Sequence, residues 1–426
     1  MKVAFFDIAA QYRTLREEID AAVRRVLESG NYSNATENLA FEQELATYLG
    51  IREVVAVNSG TDALLLSLKA LGIGTGDEVI VPSFTFFATA EAVCLAGAKP
   101  RFADCGSAGF NIDLRSIERA YSATTKAVIA VHLYGHPVDM APIQQFCATR
   151  NLHMIEDCAQ ALGASYRGQR VGTFGITSAF SFYPTKNLGA CGDGGAIACE
   201  DPKIAAHLRR LRNHGRTSAH HHAEIGVNSR LDEIQATILR VKLPHLDRWN
   251  LQRRILAQRY SSGLHDTRCG LPSDCDHGIG VFHHFVITHP ERDALRVFLT
   301  RHDVETAIYY PTPCHLQAAF CNTSDLPELP LAQTSAAQTL ALCLQLPRRR
   351  HRVPGFPGSA TTLTRAAAPR PARPSPGRFR KPHRAVKSTY SIRVVSAPSL
   401  LPNRSRSMAA AVSWPRFSYP ARMESS

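Results

Sequence analysis

Lys186 sits between an apolar, aromatic run (Ala179, Phe180, Phe182, Tyr183) and a glycine-rich stretch, in the segment SFYPTKNLGACGDGGA over 181–196. An amine that is to form an imine must be unprotonated, and desolvation or a neighbouring cation lowers a lysine pKa toward working pH. A lysine on a tight loop leaving the core meets that need, although the same residues also read as an ordinary solvated loop. Asp157 follows the apolar run His153 to Ile155 and Glu156. A carboxylate at a strand end can face a ring nitrogen and keep it protonated; a structural cap or an ion pair is the other reading.

Asn58, Ser59, Gly60, Thr61 and Asp62 join the β-branched run Val54 to Val57 to the helical run ALLLSLKAL. A strand, a Ser-Gly-Thr turn and a helix form a ready anion site. The free N–H groups of the helix start point at the ligand, the helix dipole favours negative charge, and Gly60 allows close approach. Ser59 and Thr61 acting only as helix caps is the alternative. Phe86 belongs to an aromatic cluster just past the strand run Glu78 to Val81. An imine lysine, an acid for a pyridine nitrogen, a stacking aromatic and a phosphate site are what pyridoxal phosphate requires. Lys186, Asp157, Phe86 and Gly60 with Thr61 supply all four, which makes independent coincidence the weaker account.

These residues need elements to position them. Leu15, Ile19, Ala22, Val23, Val26 and Leu27 predict an amphipathic helix over 13–29, and a second helix over 37–49 ends at Gly50. Strands are expected at 54–57, 78–81, 99–103, 127–131 and 153–155, with helices at 63–71, 88–96 and 142–150 between them. This β-α-β order with apolar strand runs predicts an α/β fold with a mainly parallel sheet covered on both faces. Ligands bind beyond the carboxyl ends of such strands, where Asn58 to Asp62, Phe84 to Phe87 and Asp157 fall. A long helix over 230–249, with Leu231, Ile234, Ile238 and Val241 on one face, is bent or broken by Pro244. It separates a large domain, 1–245, from a smaller one, 246–347, with a strand at 281–288, a helix at 292–301 and a strand at 306–310.

The net charge of +13 is confined to the end of the chain: residues 348–426 hold 17 Lys and Arg against one acid, and the remainder 32 against 35. The body is thus mildly acidic, and nucleic acid is not an expected partner. Eleven cysteines with no C-x-x-C pair, and no signal-like start, point to reduced thiols in the cytoplasm. No apolar stretch reaches the ~20 residues of a membrane span.

The long motifs resemble the DegT/DnrJ/EryC1/StrS family of sugar aminotransferases, fold-type I pyridoxal phosphate enzymes. The similar stretches are NSGTDALLLSLKALGIGTGDEVIVPSFTFFATA (58–90), VHLYGHPVDM (131–140), IEDCAQALGASY (155–166), SFYPTKNLGACGDGGA (181–196), GVNSRLDEIQATIL (226–239) and YYPTPCHLQ (309–317). The resemblance implies a seven-stranded-type sheet in the large domain and a smaller C-terminal α/β domain. It implies Lys186 as imine lysine and proton carrier, Asp157 as the pyridine-nitrogen partner, Gln160 as donor to the ring hydroxyl and Phe86 as the stacking ring. Gly60, Thr61 and Ser181 fall on phosphate-binding positions. Asn228 matches an asparagine that reaches the phosphate of a neighbouring subunit, which implies a homodimer with shared sites. His283, Tyr310 and His315 fall on positions near the substrate. The implied reaction carries an amino group from an amino acid, usually glutamate, to a nucleotide-linked keto sugar, in amino-sugar, polysaccharide or glycoside biosynthesis. A dehydrating branch carries histidine at the lysine position, so Lys186 favours transfer. A catalytically inactive binding or regulatory protein of the same fold is the alternative.

Other features are read as bystanders. Three adjacent side chains, His220 to His222, cannot all face one ion from a regular element, so a solvated loop is expected and no metal. Gly192 to Gly195 lacks dinucleotide-fingerprint spacing and is read as the return from the lysine loop. Cys158 and Cys191 are read as small core residues. From 348 the chain turns basic and Arg/Pro-rich, too poor in apolar surface to order itself, and the small domain is left without closing elements. The abrupt switch of composition reads as a frameshift, with a basic nucleic-acid-binding tail as the alternative.

Overall fold

Along each central strand alternate side chains enter opposite cores, the outcome expected of strands buried on both faces. The computed structural model describes residues 3–107, 109–272, 277–320 and 327–344, so the basic tail expected to be disordered lies outside the described residues. In chain order the principal elements are α1 (Ile8–Thr14), α2 (Arg16–Ser29), α3 (Thr36–Leu49), β1 (Glu53–Val57), α4 (Gly60–Ala70), β2 (Glu78–Pro82), α5 (Ala88–Leu95), β3 (Lys99–Ala103), α6 (Leu114–Ala120), β4 (Thr125–Val131), α7 (Met140–Thr149), β5 (His153–Asp157), β6 (Thr177–Ser181), β7 (Gly195–Cys199), α8 (Pro202–Leu211), α9 (Glu233–Lys242), α10 (Leu246–Leu264), β8 (Phe285–Thr288), α11 (Arg292–Arg301), β9 (Thr306–Ala307), α12 (Pro330–Gln338) and β10 (Thr339–Leu342).

The seven-stranded sheet runs β1-β7-β6-β5-β4-β2-β3. From β3 to β6 all neighbours are parallel, while β7 is antiparallel to both β6 and β1. β7 can return beside β6 without a crossover helix because antiparallel neighbours need only a loop, and that loop carries Lys186. Val54, Ala56, Ile80, Val128 and Ala130 join α3, α6 and α7 in one core. Val55, Val57, Val79, Ile129 and Ile197 join α4, α5 and α8 in the other. A separate antiparallel sheet, β8-β10-β9, rests Phe285, Ile287, Leu340 and Leu342 on Ala257 of α10. Among the described residues no helix is long and apolar enough to cross a membrane.

Several expectations are corrected. The helix expected over 13–29 breaks at Leu15 into α1 and α2, and Leu27, assigned to its apolar face, is 51% exposed. The helix over 230–249 is two, separated by a 3-10 turn at Leu243–His245 where Pro244 cannot supply an N–H. The strand expected over 281–288 begins only at Phe285, because the preceding residues cross to the main body, Val281 N–H donating to Gly135 O. The strand over 306–310 is confined to Thr306–Ala307. Cys191 is exposed, its loop turning outward; Cys158 is buried as expected. His221–His222 form part of an exposed hairpin.

One buried carboxylate sets how α9 meets the N-terminal layer. The residue before α3, Ala35, has no capping side chain. Glu233, at the start of α9 and 1% exposed, accepts from the amides of Ala35 and Glu37, both at 2.7 Å, and of Asn38. It thus satisfies helix-start donors that no local side chain reaches. We expect Glu233→Ala to leave these donors unpaired and to destabilise the protein by about 2–3 kcal/mol in urea melts, with Glu233→Gln recovering part of the loss.

Candidate active site

The β5 terminus places two adjacent carboxylates on opposite sides of the sheet. Glu156 turns away from the strand-end site and accepts from His132 Nε2 (3.0 Å), Gly172 N (2.8 Å), Phe174 N (2.7 Å), Gly175 N (2.7 Å) and Ser178 Oγ (3.0 Å). Burial alone would raise its pKa, but His132 and the backbone amides hold it below the ordinary carboxylate value. His132 Nδ1 accepts from Val138 N, so the ring is the neutral Nε2–H tautomer. His132, Glu156 and Cys158 bring ligand-type atoms within 4.8 Å of one another, yet these bonds already occupy the His132 and Glu156 atoms.

Asp157, at the other side, has fewer partners. It accepts from Thr89 Oγ1 at 3.0 Å and from Ala159 N at 3.1 Å, and it is 6% exposed. Burial raises its pKa, opposed by those bonds and by Lys186. For Lys186 the same cause works in the other direction: burial lowers its ammonium to about 8, with Asp157 opposing. His283 and His284 lie close enough to feel the lysine charge; burial first, and then neighbouring charge, holds both well below the usual imidazole value. The neighbourhood of Lys186 is therefore one in which an amine is readily neutral.

The anion-site residues meet by close backbone approach. Ser59 caps α4, its Oγ accepting from Asp62 N at 3.1 Å, which leaves the Gly60 and Thr61 amides at the open helix end. A Cβ on Gly60 would come 2.8 Å from Ser181 Cβ, and one on Gly195 would lie 2.3 Å from Ser59 O. Both glycines are thus required for the β1–α4 turn to touch the β6–β7 pair. The glycine run is therefore more than the return from the lysine loop.

Contacts link four of the expected residues, Asp157, Phe86, Tyr310 and Gln160, in a continuous set. Thr89 on α5 joins Asp157 to the segment bearing Phe86; Phe86 lies 5.8 Å from Tyr310 between ring centroids; Tyr310 OH accepts from Gln160 Nε2 at 3.0 Å. Phe86 is 56% exposed, a ring with one open face. Gln160 Oε1 is taken by Tyr134 N at 2.7 Å, leaving its amide nitrogen as the outward donor. Asn228 is exposed on this chain, but the next residue, Ser229, donates to Asp62 Oδ2 at 2.6 Å and accepts from Asn58 N, which ties its loop to the anion turn. His315 is not in the set. It is fully buried, bonded through Nδ1 to Ser83 Oγ, and it holds the start of the segment carrying Phe86 from behind.

Sequence reasoning missed Thr89, Ser229 and Tyr134. Thr89 follows Phe86 by three residues, but Phe86 precedes α5 and is exposed while Thr89 is buried, so spacing marks no shared face. Nothing local marks Tyr134, whose left-handed backbone (φ 57°) and link to Gln160 are tertiary facts.

The residues fit pyridoxal phosphate. A buried carboxylate with a raised pKa gains from a cationic ring nitrogen, a depressed lysine gains from imine formation, and a cradle with no room for a Cβ at Gly60 sits at a helix start. Linkage adds a prediction. A lysine whose folded pKa lies below its unfolded value destabilises the fold while charged, so stability gained through Lys186 appears as pH rises from about 8 toward 10.5. We expect Lys186→Met to be more stable than the cofactor-free wild type at pH 7 and to lose that advantage by pH 10.5, measured as the difference between paired urea melts.

Known proteins resemble this chain in sequence and in fold. The sequence profile described as the DegT/DnrJ/EryC1/StrS aminotransferase family matches residues 13–349. A Streptomyces venezuelae protein named dTDP-3-amino-3,4,6-trideoxy-α-D-glucose transaminase is 45% identical over 344 residues, covering 80% of this chain and 90% of that one. A UDP-N-acetyl-3-dehydro-α-D-glucosamine 3-aminotransferase of Acidithiobacillus ferrooxidans is 43% identical over 340 residues, covering 80% and 92%. The crystal structure of S. venezuelae DesV in complex with a ketimine intermediate superposes with a TM-score of 0.79 at 45% identity, over 82% of this chain and 95% of that one. That of Bacillus subtilis NtdA with bound cofactor PMP gives 0.75 at 32% identity, over 80% of each chain. With the profile spanning most of its length and the strand-end residues gathered as described, this chain belongs to the DegT/DnrJ/EryC1/StrS aminotransferase family.

Proposed function

We propose that this protein is a pyridoxal-phosphate-dependent transaminase that moves an amino group from an amino acid, glutamate being the expected donor, to a nucleotide-linked keto sugar. The observation that carries the reading is Asp157 at the end of β5 within electrostatic reach of Lys186 in the β6–β7 loop, burial raising the pKa of one and lowering that of the other. Bound pyridoxal phosphate supplies an aldehyde that takes up amino groups and a ring that withdraws electrons from the carbon bearing them.

Each residue then has a task. Asp157, already held by Thr89 and Ala159, would hold the ring nitrogen and keep a proton there. Lys186 Nζ, neutral above about pH 8, accepts and returns the proton of the reacting carbon. Gly60 and Thr61 amides with the Ser181 hydroxyl bind the phosphate. Phe86 would stack on the ring, and Gln160 Nε2, through the hydrogen not given to Tyr310 OH, would donate to the ring hydroxyl. His283 and Tyr310 stand at the substrate side, while His315, bonded to Ser83, holds the start of the segment carrying Phe86. Asn228 serves the phosphate of a second copy, so the working unit is a homodimer.

The relatives at 45% and 43% identity are named for amination at C3 of a dTDP- and of a UDP-linked sugar, which favours a 3-keto over a 4-keto substrate. We further take 246–347 as a smaller domain articulated at Pro244, and the cytoplasm as the site of action. Nine free cysteines among the described residues support a reducing compartment.

Two measurements test this reading. The loaded protein should show a visible absorption band that shifts on adding glutamate, and Lys186→Ala should abolish the band and lower turnover by about 10³-fold or more; an unshifted band in the wild type would overturn the proposal. With a panel of 3-keto and 4-keto nucleotide sugars, the 3-keto members should be turned over. The dimer makes a separate prediction: Lys186→Ala and Asn228→Ala chains, each impaired alone, should regain activity on mixing, because a mixed dimer holds one intact site.

A further inference from the structure

The residue after Lys186 is bound more tightly than the lysine itself. Asn187 is 5% exposed and uses every polar position of its side chain: Nδ2 donates to Asn250 Oδ1 at 2.8 Å and to Val281 O at 3.2 Å, and Oδ1 faces His283 Nδ1 at 3.3 Å. Asn250, on α10 and 1% exposed, donates in turn to Leu162 O at 3.1 Å. Leu162 lies two residues beyond Gln160 in the segment leaving β5. Gly163 completes the fit, since a Cβ there would lie 2.5 Å from Asn250 Nδ2. This buried network joins the lysine loop, the β5 exit with Asp157 and Gln160, α10, and the crossing residues 281–283. A core asparagine pair could be replaced by apolar groups were packing its sole task. Its placement directly beside Lys186 suits a different one.

We propose that Asn187 and Asn250 are a positioning pair that sets the direction of Lys186 toward the cofactor, holding the lysine loop and the β5 exit in one register. Neither asparagine touches the reacting atoms. Lys186 has a long side chain on a loop, and an error of about an ångström in such a group costs about a hundredfold in rate. Only Asn187, among residues of that loop, reaches both α10 and the 281–283 segment through its side chain. The loop is also held at Gly189 O by Lys242 Nζ (2.6 Å) and at Cys191 N by Gln235 Oε1 (2.8 Å). Its backbone therefore stays in place when the asparagine pair is broken, and the pair governs direction more than folding.

The test compares two cofactor forms and rests on the functional reading above. Cofactor-free protein is mixed with pyridoxal phosphate, whose aldehyde condenses with the Lys186 amine with loss of one water, and in parallel with pyridoxamine phosphate, which forms no bond to lysine. Imine formation is followed by stopped-flow absorbance and located by borohydride reduction and mass spectrometry; pyridoxamine phosphate affinity is read by fluorescence quenching. Asn250→Leu should slow imine formation by about tenfold or more while leaving pyridoxamine phosphate affinity within about twofold. Asn250→Asp keeps an acceptor for Asn187 but, unless protonated, loses the donor to Leu162 O, and should recover part of the rate, more at low pH. Wild-type imine kinetics in folded Asn250→Leu, an equal loss of affinity for both cofactor forms, or failure of both variants to fold would each overturn the proposal. Absence of an imine at Lys186 in the wild type would instead remove the functional reading, and this proposal with it.

Discussion

Removal from water at the ends of β5 and β6 is the constraint on which the site depends. Desolvation penalises any charged form, so it raises a carboxyl pKa and lowers an amine pKa at once. Asp157 and Lys186 experience both consequences within reach of each other. In a cofactor-free chain this is a cost to stability. Once a cationic ring nitrogen and an aldehyde are present, the same burial favours their binding. The site is thus held in a state that a ligand relieves, which is one physical meaning of preorganisation.

The neighbouring carboxylate shows how selective that arrangement is. Glu156 is buried even more completely than Asp157, yet its charge is met by His132, three backbone amides and Ser178. The pleat of one strand sends successive side chains to opposite faces, so a fully bonded carboxylate and a sparsely bonded one stand side by side in sequence without sharing an environment. Glycine performs the complementary task. At Gly60 and Gly195 the absence of a Cβ lets the anion turn and the lysine hairpin approach to a separation that any side chain would prevent.

Beyond these contacts, the lysine loop is braced from both helices that flank the Pro244 break. α9 holds it through Lys242 and Gln235, and α10 holds it through Asn250. The first of these helices is fixed in turn by Glu233 on the start of α3. Polar contacts, those of Glu233, Lys242 and Asn250 buried, therefore run from the N-terminal layer to the residue beside Lys186. Such contacts are costly to leave half made, and this favours one arrangement of the loop over a set of near equivalents.

The sequence by itself determined the order of elements, the doubly buried parallel strands, and the chemical identity of Lys186, Asp157, Phe86 and the Gly60–Thr61 turn. Periodicity and residue type are local properties, and a strand end can be located from them. It did not determine the break at Leu15, the short β8, the exposure of Cys191, or the position of His315 behind Ser83, because each depends on what the rest of the chain places opposite. Nor were Thr89, Tyr134, Glu233 and the Asn187–Asn250 pair legible in it. Their partners lie many residues away, and only tertiary structure brings donor and acceptor together and removes water from between them. The difference between Glu156 and Asp157 has the same origin: two adjacent carboxylates are chemically alike in sequence, and the fold decides which is fully bonded and which keeps few partners, because it alone sets what each one faces.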